Sequence, residues 1–273
     1  MFKMIKIIFC DLDDTLLTPI TKEIKNEDIE SINHWIKSGN LFVIATARHH
    51  SFLNNITNNK YHFDFDCVGW NGAEIYYQSK VTEISPFKKP QFLCLYENMK
   101  EYKKYIKVTN EKNEYIYENQ DSYAKEIFIK ESSQLKNVKL HDYLKYSDLS
   151  ITHVNYIFPN KQLHLKFHED YNEKMINFDD YNCRVTSDLS YDITVKKASK
   201  EEGIKRYLKL VKIQEDQIAT IGDSLNDIGM FKLAKQSFCM ENGNKEAKKI
   251  AKYTVKSVSE AISILERINK YGR

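Results

Sequence analysis

The sequence predicts an α/β protein: a doubly wound, mostly parallel core sheet interrupted by an inserted α+β segment. Three observations carry this. Short apolar runs at residues 5–10, 41–45 and 218–221 are bounded by polar residues and have the length of strands buried on both faces. Segments of helical periodicity separate such runs, the order expected of a parallel sheet. All eight glycines lie outside residues 73–202, while most of the eighteen tyrosines fall within 83–190. That break sets the expected boundaries: residues 1–82 and 191–273 as a discontinuous core, and 83–190 as an inserted domain.

A chain of 273 residues suits one large domain or two unequal ones. A net charge of +3, with both signs interspersed, gives no basic block and argues against a nucleic-acid polymer as partner. No signal-like start and no window of about 18 uncharged apolar residues is present, so neither secretion nor a membrane span is expected. Cys10, Cys67, Cys94, Cys183 and Cys239 are scattered and odd in number. They argue for reduced thiols in a cytoplasmic protein, and against a disulfide frame or a zinc site built on them.

Taken in order, residues 5–10 read as the first strand, ending abruptly in acid at Asp11-Leu12-Asp13-Asp14-Thr15. Asn26 can cap a helix with Ile29, Ile32, Trp35 and Ile36 on one face, and Gly39 can end it. Residues 41–45 form the second strand, followed by Thr46-Ala47-Arg48, and 49–60 read as a weak helix. Residues 67–70 read as a third strand, with a hairpin turn at Asn71-Gly72 and a returning strand over 73–77. In the insert, 99–108 reads as helix, and 114–117, 126–130, 152–158 and 183–187 as strands, while 160–177 fits either state. Without glycine, its turns fall to residues such as Asn110, Asn113, Asn119, Asn137, Asn160 and Asn182. The core pattern resumes near 191–195. Ser199 and Glu202 form a capping box that opens a helix containing Lys200. A strand at 218–221 precedes Gly222-Asp223-Ser224-Leu225-Asn226-Asp227, and strands at 237–240 and 253–255 with helices at 244–252 and 258–270 complete the sheet.

The chemistry concentrates at strand ends. Asp11 and Asp13 are two apart, so in extended chain their carboxylates share a side, and they repel unless a cation accompanies them. Thr46 and Arg48 have two readings: donors to a phosphate, or a helix cap and a solvated arginine. Lys200 either faces an anion from the first turn of its helix or is solvent-exposed. Asp223 and Asp227 are four apart and share a face if the chain turns helical.

Together these clusters resemble the haloacid dehalogenase-like superfamily, and within it the Cof-type phosphatases with a type IIB cap. Asp11 to Thr15, Thr46 to Arg48, Lys200 and Gly222 to Asp227 are similar to its four motifs in order, and Asn71-Gly72-Ala73 to the segment leading into the cap. Ala47 and Glu201 stand where the family often has glycine. The resemblance implies a Rossmann-like core with an α+β cap domain, and Mg²⁺-dependent hydrolysis of small phosphorylated metabolites: sugar phosphates, nucleotides or phosphorylated cofactors. It implies Asp11 as nucleophile, Asp13 as acid and base, and Lys200 among the catalytic residues. Mg²⁺ would rest on Asp11, the Asp13 main chain and Asp223, with Asp227 supporting from outside the ligand sphere. Thr46, Arg48 and Asn226 would bind substrate and phosphate. Lys196 and Lys197 compete with Lys200 for its place. His153 and Asn155, polar in an apolar strand, are candidates for choosing the leaving group, beside the reading of satisfied sheet positions. A phosphomutase and a non-catalytic phospho-ligand-binding regulator are the alternatives. The expected assembly is a monomer or weak homo-oligomer.

Overall fold

The structure, a computed structural model, describes residues 3–53, 64–112, 114–118, 123–128, 135–146, 150–175 and 179–272. In chain order it runs β1 (Ile7–Cys10), α1 (Asn26–Lys37), β2 (Leu41–Ala45), α2 (His50–Leu53), β3 (Asp66–Gly69), a 3₁₀ turn (Trp70–Gly72), β4 (Glu74–Tyr77) and β5 (Lys80–Ile84). Then follow α3 (Lys89–Asn98), a 3₁₀ stretch (Lys100–Tyr105), β6 (Ile106–Asn110), β7 (Tyr115–Tyr117), α4 (Tyr123–Phe128), β8 (Leu135–Lys139), α5 (Leu140–Tyr146), β9 (Ile151–Ile157), α6 (Lys161–Met175), β10 (Tyr181–Ser187) and β11 (Ser190–Val195). The chain ends with α7 (Lys200–Val211), β12 (Ile218–Gly222), α8 (Ile228–Leu233), β13 (Gln236–Met240), α9 (Lys245–Ile250), β14 (Tyr253–Val255) and α10 (Val258–Tyr271).

Two compact units result, Met1–Glu83 with Ser199–Arg273, and Ile84–Ala198. The first carries an eight-stranded sheet ordered β14-β13-β12-β1-β2-β3-β4-β5. It is parallel from β14 to β3, and β4 returns antiparallel through the Asn71-Gly72 turn. Strand alternation sorts the core into two layers. Ile8 and Cys10 face α1 and α10 through Ile32, Trp35, Ile262 and Leu265. Ile7 and Phe9 face α7, α8 and α9 through Ile204, Tyr207, Met230 and Ala247. Trp35 also ties α1 to its strand, its ring N–H donating to the Leu41 carbonyl at 2.9 Å. The strand order reverses between β1 and β12, and in such sheets ligands bind outside the carboxyl ends of the strands at that reversal.

The second unit carries a six-stranded sheet ordered β10-β11-β9-β6-β7-β8, antiparallel except for β7 with β8. Its core is aromatic: Tyr102, Tyr156, Phe158 and Phe167 are buried against one another. The tyrosine enrichment is therefore packing with a polar tip, as where Tyr96 donates to Glu118.

Several local expectations change. Residues 99–108 are not one helix: a 3₁₀ stretch buries Tyr102, and the β-branched Ile106 and Val108 then enter β6, paired with β9. Residues 126–128 belong to helix α4, where alanine, lysine and glutamate favour helix, and 129–130 lie outside the described residues. Residues 191–195 pair with β9 and β10 in the second unit, so the chain re-enters the first at Ser199. Lys25, not Asn26, is the cap of α1. Residues 161–175 are helical, and 176–177 fall outside the description, as do 54–60 of the expected weak helix. Asn110 makes a turn by accepting from the N–H groups of Lys112 and Glu114, and Asn160 accepts from Leu163 N–H at the start of α6. Asn182 lies in β10 and donates to the carbonyls of Val195, at the end of β11, and of Lys196 and Ala198 in the turn after it. Asn137 lies in β8, and Asn113 and Asn119 lie outside the described residues. No described helix is long and apolar enough to cross a membrane.

Candidate active site

The motif residues of the first unit meet at the carboxyl ends of β1, β2 and β12. Asp11 extends the β1 ladder by one bond, its N–H donating to the Ile221 carbonyl at 2.9 Å. A turn begins at Leu12, so Asp11 and Asp13 part company. The Asp11 carboxylate points inward and is buried. Asp13 is instead gripped by Arg48, whose Nε and Nη2 donate to its two oxygens at 2.6 and 2.7 Å. This is the planar fork that arginine offers a carboxylate. The guanidinium also lies 3.7 Å over the Phe52 ring. Arg48 thus stays partly exposed but is not free for an anion while it holds Asp13.

Of the three lysines, Lys200 is the one that stands beside Asp11. Lys196 and Lys197 are exposed, whereas Lys200 is fully buried and donates to Asp11 Oδ1 at 2.6 Å and Asp227 Oδ1 at 2.7 Å. Ser199 caps α7 by accepting from Glu202 N–H, which fixes Lys200 as the first helical residue. The adjacent turn makes room for it. Gly72 has φ +92°, and a Cβ there would lie 2.0 Å from the Ser199 carbonyl oxygen. Burial works against the lysine's charge, but the Asp11 and Asp227 carboxylates outweigh it and raise its pKa above the ordinary value.

After β12, Asp227 folds back as a fastener. Its Oδ2 accepts from the backbone N–H groups of Asp223 and Ser224, both at 2.9 Å. Asp223 accepts from the Thr15 hydroxyl at 2.8 Å. Asn226 donates to Asn71 Oδ1 at 3.1 Å. Thr46 is buried, and its hydroxyl oxygen accepts from Arg48 N–H at 3.1 Å, leaving its own hydrogen to donate. It does not cap α2, which starts four residues on.

Asp11, Asp223 and Asp227 offer oxygens within 4.8 Å of one another. Burial pushes the Asp11 carboxyl well above the ordinary carboxylate range, with the Lys200 ammonium opposing. Burial and then the Asp227 charge push Asp223 the same way. Three carboxylates therefore share one ammonium, an excess of negative charge that a hard divalent cation would relieve. The all-oxygen donor set fits Mg²⁺.

Sequence reasoning gave no role to Thr15 or Asn71, although both stand within the quoted motifs. It also missed Glu74, which is buried beside His49 and His50. His153 and Asn155 lie in β9 of the second unit. His153 Nε2 is 3.1 Å from Asp192 Oδ2, and Asn155 donates to the same carboxylate.

The chain is similar to known proteins in sequence and in fold. The phosphatase YwpJ of Bacillus subtilis is 33% identical over 66 residues, 24% of this chain and 23% of its own length. The match thus spans about a quarter of that protein. TM0651 of Thermotoga maritima superposes with a TM-score of 0.80 at 19% identity, over 97% of this chain and 98% of that one. The subclass IIB sugar phosphatase BT4131 does so with a TM-score of 0.75 at 18% identity, over 98% and 99%. These two likenesses concern the fold, a Rossmann-like core sheet with a separate antiparallel sheet. The family model of haloacid dehalogenase-like hydrolases matches residues 8–268, and with that match the chain belongs to the haloacid dehalogenase-like hydrolase family.

Proposed function

We infer that the protein is a Mg²⁺-dependent phosphatase of small phosphorylated metabolites, working through an aspartyl-phosphate on Asp11. The observation that carries this reading is the buried Asp11 carboxylate at the strand-order reversal, with the Lys200 ammonium at 2.6 Å and Asp223 beside it. The names of YwpJ and BT4131 support the phosphatase class for the family members they belong to.

Asp11, the Asp13 carbonyl and Asp223 would hold the metal. When bound, it supplies charge neutralisation for the carboxylates and the phosphoryl oxygens. The Asp11 oxygen not engaged by Lys200 forms the bond to phosphorus as the bond to the leaving oxygen breaks. Asp13 gives that oxygen its proton, then takes one from the water that attacks the acyl phosphate. The second attack breaks the bond between phosphorus and the Asp11 oxygen and frees phosphate. Lys200, Thr46 and Asn226 donate to the charged oxygens. Asp227 keeps Lys200 and the Asp223 turn in place. Arg48 must leave Asp13 for this chemistry, and a phosphate dianion is a competitor for the same fork.

The test is phosphate release from a panel of sugar phosphates, nucleotides and phosphorylated cofactors, with Mg²⁺ and with chelator, beside Asp11→Asn. Release that needs Mg²⁺ and vanishes in Asp11→Asn is expected. Release that persists in Asp11→Asn would overturn the nucleophile assignment. Folded, Mg²⁺-loaded protein that releases nothing, but binds a phosphorylated ligand equally well as Asp13→Asn, would favour a regulator.

A further inference from the structure

The Trp70–Gly72 turn between β3 and β4 is strained. Trp70, Asn71 and Gly72 stand at φ +45°, +52° and +92°, all in the left-handed region, and two of the three carry side chains. Such a run persists only where its surroundings over-determine it. Here the donors of the proposed phosphate site lean on it. The Trp70 and Asn71 N–H groups donate to the Arg48 and Thr46 carbonyls at 2.9 and 2.8 Å. Asn71 Oδ1 accepts from Asn226 at 3.1 Å. The first turn of α7, which starts at Lys200, lies against its backbone: a Cβ at Gly203 would stand 2.8 Å from Gly72 Cα and 2.4 Å from Val68 Cγ1.

Arg206 grips this turn through its carbonyl. It follows Lys200 in the same helix, about 9 Å further along the axis of α7. Its Nη2 donates to the Gly72 carbonyl, and its Nε lies 2.7 Å from Glu83 Oε1 in β5. A guanidinium that is largely buried is costly unless its donors are matched, and two separate elements match this one. An ion pair that only fastened β5 to α7 would have no use for the Gly72 carbonyl. Holding that carbonyl fixes the peptide plane after Gly72. With it are fixed the aim of Asn71 and the close seat of Gly72 on the Ser199 carbonyl, directly before Lys200.

Resting on the phosphatase reading above, we propose that Arg206 is a positioning residue for the phosphoryl transfer. By holding the Trp70–Gly72 turn in its strained form, it aims Lys200, Thr46 and Asn226 together at the oxygens they meet, without touching the reacting atoms. A planar fork that serves a carboxylate and a carbonyl at once is a task for arginine, whereas an ammonium is a point charge without that plane. Misplacing such donors by about 1 Å can cost on the order of a hundredfold in rate.

Arg206→Lys, which keeps the charge for Glu83 and loses the fork, tests this in the full-length protein with Mg²⁺. Steady-state kinetics are expected to show kcat down at least about tenfold with KM within about twofold, because misaimed donors fail the transition state more than the ground state. Orthovanadate, a mimic of the phosphoryl group in transfer, is expected to bind about tenfold more weakly by calorimetry. Glu83→Gln breaks a partly exposed ion pair and leaves the Gly72 bond, so it is expected to stay within about twofold of wild type in both measurements. Circular dichroism and urea midpoints check that each variant folds, and Arg206→Met decides if Arg206→Lys does not. The proposal is overturned if the Arg206 variant keeps the kcat and vanadate affinity of wild type, or if Glu83→Gln loses as much as it does. A wild type that binds vanadate but releases no phosphate overturns the phosphatase reading, and the vanadate comparison then decides Arg206. A wild type that does neither overturns both.

Discussion

Lys200 is a buried ammonium between two carboxylates, and its removal leaves their charge unmatched. Breaking one partner of a buried ion pair typically costs about 3–5 kcal/mol. Lys200→Met, which keeps the apolar stem, is expected to lose stability of that order by urea denaturation in chelator. Mg²⁺ is expected to restore part of it by taking over the charge. Arg48 makes a different prediction. Its fork holds Asp13 in this structure and a phosphate in the proposed reaction, so Arg48→Ala removes both a restraint and a binding contact. A lost charge-assisted hydrogen bond is worth about 1.5–3 kcal/mol, which corresponds to a KM rise of roughly tenfold or more. Steady-state kinetics should show that rise with a much smaller change in kcat. A collapse of kcat at unchanged KM would instead make Arg48 part of the acid–base step.

The α2 turn and β4 share the Glu74 carboxylate, and that gives the pair of elements a pH signature. Burial alone would raise the Glu74 pKa, but hydrogen bonds and charge from His49 and His50 pull it down to about 2. A carboxyl depressed on folding contributes stability that is complete above its unfolded value and is lost as pH falls towards the folded one. The protein is therefore expected to lose stability between about pH 4.5 and pH 2 at this site, and Glu74→Gln to flatten that part of the curve; denaturant midpoints against pH measure it. The same pair of elements marks the limit of what sequence reveals. Strand β2 was legible to the residue, because a buried parallel strand is an apolar run bounded by polar residues. Strand β6 was not, since Lys107 interrupts its apolar pattern and only pairing with β9 makes it a strand. Asp11, Lys200 and Asp223 were legible from motifs that keep each group at a strand or helix end. The grip of Arg48 on Asp13 spans 35 residues and that of His50 on Glu74 spans 24, and no local spacing encodes either.

Considered as a whole molecule, the chain confines its acidic cluster to the first unit. Mg²⁺ is expected to raise hydrogen-exchange protection in peptides covering β1 with Asp11 and β12 with Asp223, and to leave peptides from Ile84–Ala198 unchanged. Equal protection in both units would show that the ion acts through a global change and not at these strand ends. The strand order has a further consequence for the chain as it leaves the ribosome. β1 lies between β2 and β12, and its partner β12 begins only at Ile218. Until that segment emerges, one edge of the apolar strand β1 stays open, a template for pairing with any other exposed strand. The second unit is contiguous and can complete its own sheet in the meantime. Birth of this protein therefore includes an interval in which the insert is finished while the surrounding sheet is still half made.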